Sequence, residues 1–279
     1  MNALVLQTDF GLADGAVSAM YGVANQVSPD LKIFDLTHEI SQFNIWEGSY
    51  RLLQTVDYWP TGTVFVSVVD PGVGSVRKSV VAKTMKGAYI ITPDNGTLTH
   101  LAKLVGLAAV REIDEELNRL PGSSESYTFH GRDIYAYTGA RLAAGIIDFD
   151  GVGPELALDS IVQLPTLEAK LEEDVISGTI DISDVRYGNL WTNVPRSLFQ
   201  SLLSYGEKVE VVITHHDQIF YQSILNFDHF FSEVNPGAAL IYVNSLDNIA
   251  LAINQGNFLK AHGLSTGISW KVTFKKIES

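Results

Sequence analysis

The hydrophobic pattern of this chain changes its period near Leu164, and that change limits the folds open to it. Before Leu164, short apolar runs alternate with longer stretches whose apolar residues recur at helical spacing. Leu4 to Gln7, Lys32 to Asp35 and Thr63 to Val69 read as strands, the last a continuous apolar run of the kind found in buried strands. Gly15 to Gln26, Glu47 to Tyr58, Leu98 to Val105 and Ile134 to Ala144 read as helices. Ser79 to Lys83 and Ala88 to Ile91 read as a strand pair with a turn at Lys86-Gly87. This βαβ rhythm predicts an α/β N-terminal domain, a central mostly parallel or mixed sheet flanked by helices.

After Asp174 the chain favours strands: Val175 to Ile182, Lys208 to Thr214, Ile219 to Ile224, Ala239 to Val243, Ile249 to Ile253 and Ser269 to Phe274. Turn signals separate several of them, at Pro236-Gly237, Asp247-Asn248 and Gly263 to Gly267. Short, closely spaced strands predict a smaller, mostly-β barrel or sandwich. The charged segment Pro165 to Asp174 reads as a linker. The expected organisation is an N-terminal domain over 1–164, a linker over 165–174 and a β-rich C-terminal domain over 175–279.

Composition narrows the function. The chain has no cysteine, which excludes disulfides, thiolate metal sites and a cysteine nucleophile. A net charge of −13 argues against a nucleic-acid partner, whose phosphates call for basic clusters. The opening MNALVLQTDFG lacks the basic flank and cleavage site of a secretion signal. No apolar run approaches the roughly 18 residues of a membrane span. A cytoplasmic protein with no membrane partner is the expectation.

Four clusters carry chemical potential, and each also has a plain structural reading. Asp9, in Thr8-Asp9-Phe10-Gly11, follows the first strand, where open α/β sheets bind ligands. A carboxylate there can accept hydrogen bonds from both hydroxyls of a ribose; the plain alternative is a helix cap, for which Asp14 is better placed. Asp70 and Arg77 bracket a loop with two glycines after a buried strand. They could hold a water between them, or simply salt-bridge a hairpin. His130, in Phe129-His130-Gly131-Arg132-Asp133, precedes a helix and suits either water binding or a local hydrogen bond. Asp184 to Trp191 offers Asn189 as a donor and acceptor to a base edge, or a β-turn at Tyr187-Gly188-Asn189 with core aromatics.

Other chemistries lack their motifs. The chain has no GxSxG nucleophile elbow, no GxxxxGK[ST] phosphate loop, no HExxH and no GxGxxG after the first strand. His215 and His216 are adjacent, so in a strand their rings should face opposite ways and share no metal. No metal site is expected.

Eight segments appear in order: TDFGLADG, FDLTHEI, VVDPGVGSVR, TPDNGTLT, FHGRD, GVGPE, YGNLWTN and VNSLDNIALAINQGNF. Together they resemble the S-adenosyl-L-methionine hydrolase (adenosine-forming) family, sister to the fluorinase and chlorinase halogenases. The resemblance implies that Asp70, Arg77 and His130 hold and activate water. The halogenating branch carries tyrosines at the positions of Asp70 and His130, and a halide-pocket serine at that of Gly131. It further implies that Asp9 grips the ribose, with Phe43 against the sugar where the halogenases have a tryptophan. Asp184 and Ser245 would hold the methionine amino group, Asn189 the adenine edge, and Phe231 would lie near a ring packing on adenine. Leu246 departs from an arginine that grips the methionine carboxylate in the fluorinases. The resemblance also implies a homotrimer with active sites at subunit interfaces, S-adenosyl-L-methionine as substrate, and no cofactor.

The chemistry is consistent with that residue set. A sulfonium leaves as a neutral thioether, so the step needs an oxygen nucleophile aligned with C5′ and no leaving-group acid. Arg77 favours a bound anion, and either Asp70 or His130 takes the proton, unless Asp70 orients Arg77 instead. The alternatives are a halide-dependent adenosyl transferase and a non-catalytic adenosine or S-adenosyl-L-methionine binder.

Overall fold

A computed structural model describes residues 2–125 and 128–277; Met1, Ser126, Tyr127, Glu278 and Ser279 lie outside that description. Packing divides the chain into two compact units, Met1–Leu164 and Pro165–Ser279.

Seven strands build the sheet of the first unit: β1 (Leu4–Thr8), β2 (Ile33–Thr37), β3 (Val64–Val68), β4 (Ser79–Thr84), β5 (Tyr89–Pro93), β6 (Leu107–Glu112) and β7 (Glu155–Leu156). Their order is β2-β1-β3-β5-β4-β6-β7. β2, β1, β3 and β5 run parallel, while β4, β6 and β7 pair antiparallel with their neighbours. The mixed sheet flanked by helices matches the expectation. Every residue of β1 and β3 is buried, because apolar clusters cover both faces. Leu4 and Leu6 join Met20, Ala24 and Ala140 on one face, whereas Val5 joins Leu52 and Leu98 on the other.

The helices α1 (Ala16–Val27), α2 (Ile45–Thr55), α3 (Thr99–Leu104) and α4 (Tyr137–Ala144) supply those covers. α1 packs with α4, and α2 with α3. At Gly139 of α4 a Cβ would stand 2.5 Å from Val66 Cγ2, so glycine is what lets this helix close on β3. β6 was not anticipated. Its sequence LAAVRE carries two alanines, weak strand formers, and its state comes from pairing with β4.

The second unit is antiparallel, with β8 (Lys170–Glu172), β9 (Val175–Ser183), β10 (Leu190–Pro195), β11 (Lys208–His215), β12 (Gln218–Asn226), β13 (Ala239–Val243), β14 (Asn248–Ile253) and β15 (Gly267–Lys276). The order is β12-β11-β15-β9-β10-β14-β13, with β8 beside β9 inside the segment read as a linker. A bridge from Phe227 to Ile241 links the two ends of this order, so the sheet nearly closes into a barrel. Phe199, Phe227, Phe258 and Phe274 fill its core. The short helices α5 (Arg196–Gln200) and α6 (Phe258–His262) span 5 residues each, too few for helical periodicity to show in the sequence.

One expectation fails here. His216 is not in a strand but in the β11–β12 turn, where His216 and Asp217 have φ of 48° and 63°. Its ring therefore turns back to within 4.1 Å of the His215 ring, centroid to centroid. No helix among the described residues is long and apolar enough to cross a membrane.

Candidate active site

β1 lies between β2 and β3, so the chain changes its direction of travel across the sheet between β1 and β3. The carboxyl ends of those two strands sit side by side, with Thr8 opposite Val68. Ligand crevices of open α/β sheets form at such points. Asp9 follows β1 there, and Asp70 follows β3 two residues past its end.

The Asp70 loop doubles back on itself. Asn95 Nδ2 donates to the Val69 carbonyl at 2.8 Å and pins the end of the strand. Val73 N–H donates to the Asp70 carbonyl and Ser75 N–H to that of Gly72, while Gly74 takes φ of 79°, open to glycine without strain. Arg77 is thereby laid across Asp70. Its Nε donates to Asp70 Oδ1 at 2.8 Å and its Nη2 to Oδ2, a two-pronged ion pair. The two side chains are only 10% and 5% exposed. Burial opposes the guanidinium charge, but Asp70, Tyr135 and Glu115 lift the Arg77 pKa above its ordinary value.

Arg77 Nη2 also lies 3.2 Å from His130 Nδ1. Arginine has no acceptor, so Nδ1 must accept and the proton of a neutral His130 resides on Nε2. Burial, Arg77 and Arg119 lower the His130 pKa, with Glu115 and Asp70 opposing. His130 opens directly into a π-helical turn, Gly131–Ala136, ahead of α4. A Cβ at Gly131 would stand 3.2 Å from the Phe10 ring and 3.3 Å from Phe129, so the segment after Asp9 packs directly beside His130.

The structure thus brings Asp70, Arg77 and His130 together. Asp9 and Phe43 are joined as well: the Phe43 N–H donates to Asp9 Oδ2 at 2.8 Å, and Phe43 takes φ of 65° with its ring exposed. Behind them, Thr8 Oγ1 meets His38 Nδ1 at 2.8 Å and His38 Nε2 meets Asp35 at 2.9 Å, bracing the ends of β1 and β2.

In the second unit, Asp184 and Asn189 close one turn, with the Asp184 N–H on the Asn189 carbonyl and the Gly188 N–H on that of Asp184. Asn189 is buried and its side chain approaches the Tyr242 hydroxyl, as does that of Trp191. Burial first, and Asp184 with it, pushes that hydroxyl up to about 12. The Phe231 ring packs 4.9 Å from the Tyr242 ring. Ser245 stands exposed in the turn after β13.

Sequence reasoning missed Asn95, Ser79 and Tyr135 around the cluster of the first unit, and Tyr242 beside Asn189 in the second. Ser79 Oγ touches Arg77 Nη1 at 3.2 Å and the Tyr135 hydroxyl at 3.1 Å. Of these, only Asn95 stood in a quoted motif, TPDNGTLT. Among the described residues, no group of three or more histidines and carboxylates is arranged to hold a metal ion.

Comparison with known proteins adds a family context. Residues 4–153 match the SAM hydroxide adenosyltransferase N-terminal domain, and residues 178–271 match its C-terminal domain. The chain is 35% identical over 223 residues to an (R)-S-adenosyl-L-methionine hydrolase of Methanocaldococcus jannaschii, covering 78% of this chain and 76% of that protein. It is 28% identical to a fluorinase of Nocardia brasiliensis, with 96% of each covered. A crystal structure of an uncharacterized conserved protein from Thermotoga maritima superposes with a TM-score of 0.89 at 31% identity, over 98% of this chain and 100% of that one.

Proposed function

The chain belongs to the SAM hydroxide adenosyltransferase family, and from that premise we propose that it hydrolyses S-adenosyl-L-methionine to adenosine and L-methionine. The observation that carries this reading is the Asp70–Arg77–His130 cluster at the carboxyl ends of β1 and β3. A halogenase of the sister branch, by the resemblance, would have tyrosines in place of the first and last.

In the proposed step, Arg77 holds a water or hydroxide in line with ribose C5′ and opposite sulfur. The oxygen–C5′ bond forms as the C5′–sulfur bond breaks, and the bond pair leaves with sulfur as a neutral thioether. One proton is released. With His130 Nδ1 accepting from Arg77, the Asp70 carboxylate is the better proton acceptor of the two. Attack of an anion on a cation cancels charge, so a water-poor site favours the step. Asp9 holds the ribose hydroxyls beside Phe43, Asn189 reads the adenine edge with Phe231 near its face, and Asp184 and Ser245 hold the methionine amino group. Leu246 leaves the carboxylate without the arginine seen in fluorinases. S-adenosyl-L-methionine is substrate and no cofactor takes part.

A homotrimer in the cytoplasm, with substrate held between subunits, belongs to the same proposal, and sedimentation would measure the assembly. The activity test is incubation with each sulfur epimer, since the Methanocaldococcus relative is named for the R form, in heavy-oxygen water with and without chloride. Label in adenosine is the expected result. A 5′-chloro product, or tight adenosine binding with no turnover, overturns the reading.

A further inference from the structure

Arginine carries five N–H donors in one rigid plane. Four of those on Arg77 are engaged: Nε with Asp70 Oδ1, Nη2 with Asp70 Oδ2 and His130 Nδ1, and Nη1 with Ser79 Oγ. Among the described residues, one N–H, on Nη1, remains to hold an oxygen. Which hydrogen that is depends on Ser79.

Ser79 is itself held from two further sides. Its hydroxyl has one proton, and the Glu115 carboxylate at 3.0 Å can only accept it. Ser79 therefore donates to Glu115 and accepts from Arg77 and from the Tyr135 hydroxyl. Glu115 is anchored in turn by Arg119 at 2.6 Å. Ser79 and Tyr135 are buried. Ser79 is the first residue of β4, and Tyr135 lies in the π-helical turn that follows His130. One hydroxyl thus ties Arg77 both to the sheet and to the segment that carries its other partner.

Resting on the hydrolase reading above, we propose that Ser79, oriented by Glu115 and Tyr135, is a positioning residue for Arg77: it occupies one Nη1 hydrogen and leaves a single N–H for the oxygen nucleophile. An Arg77 freed of Ser79 keeps its pair with Asp70 but can tilt about it, and a small misplacement of the nucleophile costs rate more than binding.

The test uses Ser79→Ala, Ser79→Thr and Glu115→Gln in the full chain, with two readouts. Kinetics of sulfonium hydrolysis is the first. Ser79→Ala is expected to lower kcat by on the order of 10-fold to 100-fold with KM little changed, and Ser79→Thr, which keeps the hydroxyl, to restore most of it. The second readout, proton NMR titration of His130, needs no turnover. Among the described residues, the charged groups that act on His130 are Asp70, Glu115, Arg77 and Arg119. Glu115→Gln removes a negative charge and should move the titration to lower pH. Ser79→Ala loosens Arg77 and should move it to higher pH. Opposite shifts are not what a general loosening of the fold produces. Unchanged kcat, a loss in Ser79→Ala that Ser79→Thr does not rescue, or a titration unmoved in both variants overturns the proposal. If the parent chain shows no turnover, the hydrolase reading falls, and the titration alone upholds or overturns the positioning role.

Discussion

Arg77 Nη2 sits 3.2 Å from His130 Nδ1, and because a guanidinium only donates, this contact exists only while His130 is neutral. Protonation would set two cations against each other in a largely buried site. Burial, then Arg77 and Arg119, hold the His130 pKa below its ordinary 6.5. Charging His130 therefore takes a more acid solution than an ordinary imidazole requires. The pH profile of kcat/KM is therefore expected to fall on the acid side, with the midpoint of that limb below 6.5. His130→Gln should lose that acid limb along with most activity. A limb centred above 6.5 contradicts the assignment.

Asp70→Ala strips the forked partner from a buried arginine. Turnover is expected to fall by on the order of 100-fold or more, while adenosine affinity, read by calorimetry, stays within about tenfold. Stability should drop by about 3–5 kcal/mol, the cost of leaving one member of a buried pair uncompensated. Removing Arg77 as well should recover part of that loss, which a double-mutant cycle of melting measurements would show.

His100 links pH to folding. Its Nδ1 meets Ser49 Oγ at 2.8 Å, and its ring packs edge-on against Trp46. Burial, then Lys103, lowers its pKa to about 4 from 6.5. Between those values the unfolded chain binds a proton that the folded chain resists, so stability falls as pH drops through that window and is unaffected above it. The slope is about 1.4 kcal/mol per pH unit from this group, about 3 kcal/mol in all. Thermal melts from pH 7 to pH 4 should be less pH-dependent in His100→Gln than in the parent chain.

Gly139→Ala places a methyl 2.5 Å from Val66 Cγ2 and 3.2 Å from Leu4 and Ile91. α4 would have to lift from the sheet, at a cost of about 1–3 kcal/mol. A melting temperature equal to the parent's would show that the contact relaxes freely.

Gly131→Ser introduces the residue that the resemblance assigns to the halide pocket. Here its Cβ meets Phe10 and Phe129 at 3.2–3.3 Å, tighter than ordinary contact. Hydrolysis is expected to fall, and no 5′-halogenated product should appear in chloride, because Asp70 and His130 are unchanged. Product chromatography decides this.

Much of this was legible from local pattern. The continuous apolar run at Thr63 to Val69 is β3, buried on both faces, and the switch to closely spaced strands after Asp174 is the near-closed barrel. Asp70 and Arg77 could be paired from sequence, since two glycines in a short loop bring residues 7 apart back together. Periodicity and turn chemistry act over a few residues, and these features need no more.

The remainder depended on distant parts of the chain meeting. His130 reaches Arg77 across 53 residues and Tyr135 reaches Ser79 across 56. Those contacts arise because the sheet sets where β4 begins and a π-helical turn sets how the segment after His130 faces it. β6 is a strand because β4 pairs with it, and His216 turns its ring back because a two-residue hairpin requires left-handed backbone there. Sequence by itself determined the layers, the motifs and the family resemblance. Tertiary structure alone decided which donor on Arg77 remains for an oxygen, because that depends on sheet register and side-chain geometry rather than on local spacing.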